Sequence, residues 1–205
     1  MSQTVTDPAA PPARRRLDLA DWGERVGLIL AWLAIIAGFG ALMPQTFLSW
    51  ANFSTIFGSQ AVLVIVTLGL IVPLTAGDFD LSVAQVLTLS SMLVAVTNVW
   101  LGWPLWLSVP AALGAGALVG LLNAAIILYF RIHSLIVTLG VGTFVHGLVL
   151  WMSDSQTISG IDMALIRAVI ATRLLGIPLA FWYAVLLAAA IWYAFGYTAA
   201  GQRLL

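Results

Sequence analysis

Between Arg25 and Arg131 the chain carries only two charged side chains, Asp78 and Asp80, both inside the stretch PLTAGDFDLSVAQV at residues 73 to 86. No water-facing surface can be built from so long a run of apolar residues. Over all 205 residues 62% are hydrophobic and 8% charged, against roughly 25% charged in a typical soluble domain. Lipid asks for no polar cover, provided every backbone group is bonded internally. The expected fold class is therefore all-α: a polytopic membrane helix bundle whose solvent is the bilayer.

A hydrocarbon core about 30 Å thick takes roughly 20 apolar helical residues. On that measure six segments are expected to span, at 26–43, 55–76, 81–100, 104–128, 134–152 and 179–196. Residues 1–24 read as a disordered tail, because MSQTVTDPAAPPA is polar, small and Pro-rich; residues 25–205 form the membrane domain. The first span lacks a small-x-small cleavage site and more spans follow, so it is read as retained rather than as a secretory signal. Arginines in RRRLDLADWGER place the N-terminus in the cytoplasm under the positive-inside rule. Arg131 and Arg203 then fall inside as well. Asp154, Asp162, Arg167 and Arg173 share an external loop, where the two arginines run against the rule unless a short amphipathic helix carries them. Trp100, Trp103, Trp106, Trp151, Trp182 and Trp192 read as interfacial anchors.

Several chemistries are excluded. Net charge is zero and every cationic residue is arginine, so there is no basic face for nucleic acid. Cysteine is absent, and His133 and His146 have no second ligand at a metal-like spacing. No metal or other cofactor is implied. There is no Walker A loop or dinucleotide fingerprint. GAGALVG, residues 114 to 120, instead sets Gly116 and Gly120 four apart, the small-xxx-small pattern of helices packed closely in lipid.

A carboxylate at the centre of a span costs about 2.5–3.5 kcal/mol on insertion scales. Asp78 and Asp80 therefore mark something other than lipid-facing helix. In one reading they occupy a turn: Gly77 lets the chain reverse, Asp80 caps the next helix, and Ser82 with Gln85 forms a capping box. In the other, Pro73 and Gly77 break a span so that Asp78, Asp80, Ser82 and neighbouring hydroxyls such as Thr88, Ser90 and Ser91 line a polar path for hydroxyl-rich solutes. The two readings are compatible.

LTAGDFDLSVAQVLTLSSMLVA resembles the most distinctive segment of the permease subunits of bacterial ABC importers for ribose, xylose and related sugars, the binding-protein-dependent components of the branched-chain amino acid/ribose permease family. Asp80, Leu81, Ser82 and Val83 form its centre. GALVGLLNAAIILYFRI is similar to their Gly-x-x-Asn segment at Gly120 and Asn123, and HSLIVTLGVGTFVHGLVL to their Pro-x-x-Ile-x-Thr-Leu-Gly segment, with Thr138 as its threonine. TISG at 157–160 matches in the external loop. Asp78, Ala84, His133 and Ser134 depart from the family pattern. The resemblance runs from about residue 30 to the C-terminus. It implies a multi-pass protein of the bacterial inner membrane forming half of a homodimeric pore. Partners would be a second permease copy, a periplasmic sugar-binding protein, a separate ATP-binding cassette subunit and membrane lipid. The permease would not itself be an enzyme; ATP would be hydrolysed on the separate chain. Family members run well past Thr198-x-x-Gly201, so the chain reads as the N-terminal part of a longer pattern, expected not to transport alone.

Other readings compete. An ion-coupled secondary transporter would also use membrane carboxylates. An intramembrane aspartyl protease would need them convergent, yet Thr75 holds the first glycine position of its Gly-x-Gly-Asp motif, and residues two apart diverge. A fragment with no transport role is the remaining reading.

Overall fold

The computed structural model describes residues 19–204. Its contacts divide the chain into two units, residues 1–52 and 53–205, each taken here by itself. The expected tail lies outside the described residues up to position 18; from Leu19 the chain is helical.

In the first unit, helix α1 (Leu19–Leu42) is followed by a single turn, α2 (Pro44–Phe47). Proline opens α2, where its missing N–H is not needed. The rings of Phe39 and Phe47 stack at 5.8 Å.

Helix α3 (Trp50–Thr75) leads into the second unit. There follow α4 (Val83–Ala95), whose last turn widens over Val96–Trp100, then α5 (Leu105–Phe130) and α6 (Ser134–Met152). A loop contains the helical turn α7 (Met163–Ile166), a wide turn at Arg167–Ala171 and a hairpin of β1 (Arg173–Leu174) and β2 (Ile177–Pro178), paired antiparallel. Helix α8 (Leu179–Tyr197) and the short α9 (Ala199–Leu204) complete the described chain.

Among the described residues, five helices are long and apolar enough to cross a bilayer: α3, α4 with its widened turn, α5, α6 and α8. The expected first span, 26–43, corresponds to the apolar part of α1, Val26–Leu42, which is shorter than the others. Helix α5 at about 1.5 Å per residue is about 39 Å long, enough for the hydrocarbon layer with some tilt.

The distribution of side chains is inverted relative to a soluble protein. Ser54, Ser82, Ser108 and Ser153 are fully buried, and Ala61, Ala112, Ala180 and Ala184 nearly so, whereas Leu113, Leu118, Phe144 and Trp151 are exposed. Lipid supplies no drive to hide leucine, so helices associate where small residues allow close backbone approach. Helix α6 is central. Its Ser134, Val137, Thr138, Val141, Gly142, Val145 and Val149 are buried on one face at helical spacing, and the valines pack with Leu89 of α4 and with Ala115, Val119, Ile126 and Ile127 of α5. A second contact set joins Ala61 of α3 to Ala180 and Ala184 of α8, with Phe57 and Phe181 at 5.3 Å.

Candidate functional site

The site begins where α3 stops. Asp78 N–H donates to the Pro73 carbonyl at 3.0 Å and Gly77 N–H to the Leu74 carbonyl at 3.1 Å, the paired bonds of a Schellman ending. Gly77 takes the left-handed φ of +82° that this ending requires. Gly77→Ala is therefore expected to destabilise the chain by about 1–2 kcal/mol, through backbone strain alone since an added Cβ meets open space; thermal unfolding in detergent measures it.

After this stop residues 78–82 are unwound, and their backbone N–H groups find partners on α6 while the Ser82 side chain finds one on α5. Phe79 N–H donates to Ser134 Oγ at 3.3 Å and Leu81 N–H to Thr138 Oγ1 at 3.1 Å, both from the first turns of α6. Thr138 returns its own proton to the Ser134 carbonyl at 2.9 Å. Asp80 Oδ1 accepts from Ser82 N–H at 2.8 Å and from Ser82 Oγ–H at 2.6 Å. Ser82 Oγ in turn accepts from Asn123 Nδ2 of α5 at 2.9 Å.

The order of donors in this chain is forced. An amide nitrogen only donates, so Asn123 Nδ2 gives its proton to Ser82 Oγ, and the single hydroxyl proton of Ser82 goes on to Asp80 Oδ1. Asn123 Oδ1 is consequently left buried without a donor among the described residues. Three segments, the loop, α5 and α6, are thus stitched together by side chains a few residues apart.

A cavity of about 270 Å³ opens beside this network, lined by Asp78, Phe79, Asp80, Asn123 and Thr138, with Pro73, Gly120 and apolar residues of α5 completing the wall. None of its lining residues is basic. Asp78 is exposed and Asp80 half-buried.

The sequence candidates separate on this geometry. Asp78, Asp80, Asn123 and Thr138 line the cavity, and Ser82 is the buried link between two of them. Gln85 does not line it. Asp80 accepts from the N–H of Ser82, the residue just before α4, whereas the capping box of Ser82 and Gln85 is not formed: the Ser82 N–H that Gln85 would receive goes to Asp80 Oδ1, Ser82 Oγ accepts from Asn123 instead of from a first-turn N–H, and Gln85 Oε1 is buried without a hydrogen-bond partner among the described residues. Gly116 comes close to Val86 and Ser90 of α4; Gly120 meets no neighbour and faces the cavity instead. Ser134 is the participant that sequence reasoning passed over. Its position four residues before Thr138, on the same helical face, was the available signal.

Similarity to known proteins agrees with these motifs. The D-allose transport system permease protein of Escherichia coli (strain K12) is 25% identical over 180 residues, covering 88% of this chain and 55% of that protein. The xylose transport system permease protein of the same strain is 30% identical over 138 residues, 67% of this chain and 35% of the relative. The L-arabinose ABC transporter permease protein of Azospirillum brasilense is 30% identical over 152 residues, 74% and 44%. The chain thus spans between about a third and just over half the length of these relatives. No solved structure gives a significant match. Residues 52–205, which carry the break, the relay from Asn123 to Asp80 and the cavity, match the family described as branched-chain amino acid transport system / permease component, and the chain belongs to that family.

Proposed function

We propose that the chain is a membrane-spanning permease subunit of an ABC importer, contributing the translocation pathway for a monosaccharide of the ribose kind. In this reading a periplasmic binding protein delivers the sugar, a separate ATPase drives the cycle, a second permease copy completes the pore, and the N-terminus is cytoplasmic. The observation that carries the proposal is the polar break between α3 and α4, with its cavity of about 270 Å³ lined by Asp78, Asp80, Asn123 and Thr138. Irregular backbone at membrane depth is tolerated where it is buried in protein or lines a water-filled space. Carboxylate and amide oxygens free to accept suit a solute that presents many hydroxyl donors. Relatives named for allose, xylose and arabinose point to the same solute class, and others named for autoinducer 2 leave the individual solute to experiment.

The test is uptake of radiolabelled pentoses and hexoses into proteoliposomes holding the assembled importer, with the permease at the length of its relatives together with its ATPase and binding protein. Expected is uptake that stops on ATP depletion and survives a protonophore. Collapse by the protonophore with ATP maintained would transfer the assignment to an ion-coupled carrier.

A further inference from the structure

The loop between α6 and α8 contributes no residue to the cavity beside the break. Its Arg167 and Arg173 are exposed, and so, in the same segment, are Met163, Ile166, Ile170, Leu174 and Leu175, the last at the hairpin tip with 77% of its surface free. Both flanking helices are long enough to span, so the loop begins and ends at the membrane surface. Large apolar side chains mixed with arginine at that level mark a segment lying in the headgroup layer.

Two cavities lie along it. One of about 420 Å³ is walled almost wholly by apolar residues, including Ile158, Ile161, Leu165 and Ile166. The other, of about 310 Å³, lies between Gly58 and Val62 of α3 and Pro178 and Ala180, with Arg173 at its wall. Val169 and Ile170 line both, so the two form neighbouring parts of one apolar trough that ends at a guanidinium. Arg173 is held there. One of its nitrogens donates to Ser54 Oγ at 3.3 Å, the Ser54 hydroxyl proton goes to the Gly176 carbonyl, and Trp182 Nε1–H braces the hairpin at the Leu174 carbonyl at 3.3 Å. The acidic residue beside the loop's helical turn, Asp162, is already engaged, accepting from Ala164 N–H at 2.8 Å.

We propose that this trough is a binding site for one anionic phospholipid, its phosphate on Arg173 and an acyl chain along Val169 and Ile170. The ligand's two halves match the two halves of the site: guanidinium for phosphate, apolar wall for hydrocarbon. The same contact accounts for arginines in a loop where the positive-inside rule disfavours them.

The chain is placed in nanodiscs of equal parts phosphatidylglycerol and phosphatidylcholine, and the lipid retained after extraction is counted by native mass spectrometry. Expected is an enrichment of phosphatidylglycerol of about fivefold, the factor one basic residue near an anionic surface supplies. Arg173→Gln should bring it to parity and Arg173→Lys should keep most of it. The thermal midpoint in phosphatidylcholine alone should stay at the parent value for both, since Arg173 is exposed and makes one long hydrogen bond. An unchanged ratio in Arg173→Gln overturns the proposal. So does protection of the parent by glycerol 3-phosphate in phosphatidylcholine discs, which would make this a phosphate site without the lipid.

Discussion

Asp80→Ala is expected to lower the stability of the chain by about 2–4 kcal/mol, with Asp80→Asn within about 1 kcal/mol of the parent. The carboxylate oxygen Oδ1 receives both donors of Ser82, its N–H and its hydroxyl. Hydrogen bonds to a charged group contribute about 1.5–3 kcal/mol each, and part of this is returned because a half-buried charge no longer has to be held in the protein. Alanine leaves the Ser82 hydroxyl, which is fully buried, without its acceptor. Asparagine keeps an acceptor at Oδ1 and sheds only the charge. Ser90→Ala, on the helix that follows but outside the network, should stay within about 0.5 kcal/mol. Tryptophan fluorescence during thermal unfolding in detergent reads all three. Equal behaviour of Asp80→Ala and Ser90→Ala would remove any structural role for the relay. The uptake assay separates structure from pathway: Asp80→Asn that folds normally and fails to transport would place the charge itself in the conduit.

Much of this site was legible because the bilayer simplifies the code. Each span must satisfy its own backbone, so an apolar run bounded by polar residues has few ways to fold. Helix α6, expected at 134–152, occupies Ser134–Met152 because RIHS on one side and SDS on the other leave it no freedom. The stop of α3 was legible from Pro73 and Gly77, since proline removes a donor and glycine alone enters the left-handed region without strain. Pairing across helices was not. Ser82, Asn123 and Ser134 are far apart in the chain, and each has alternative bonds within its own helix, so their meeting depends on how α4, α5 and α6 settle against one another. Gln85 shows the reverse case: its spacing from Ser82 satisfies a capping box, but Asp80, two residues before Ser82, takes the serine's backbone N–H, and Asn123 of α5 donates to the serine oxygen that the box would have used. The loop after α6 reads in sequence as able to form a short amphipathic helix that would carry its arginines. Arg167 does lie in a short helical stretch, where α7 runs on into the wide turn Arg167–Ala171, whereas Arg173 falls on the hairpin that follows.

Gly142→Leu should disrupt the bundle at its centre, with a loss of about 3 kcal/mol or more. An added Cβ at Gly142 would lie 3.3 Å from Ser82 Cα and 3.4 Å from Gln85 Oε1. The first of these neighbours is backbone, and that backbone is pinned by the Asp80 cap on one side and by the Leu81 bond to Thr138 on the other. A methyl group falls short of ordinary contact by only a few tenths of an ångström, so Gly142→Ala should cost about 1 kcal/mol. Leucine needs several ångströms. Helix α6 would then have to move away from α4, pulling Ser134 and Thr138 from Phe79 and Leu81, and the unwound segment would lose the partners of its backbone N–H groups. Gly147→Leu is the matched control, because an added Cβ there meets nothing within 4 Å. Limited proteolysis at residues 76–82, together with thermal unfolding, distinguishes the outcomes. Cleavage appearing in Gly142→Leu and absent from Gly147→Leu is the expected pattern. Equal resistance of both would mean that the close approach of α4 and α6 is not what holds the break in place.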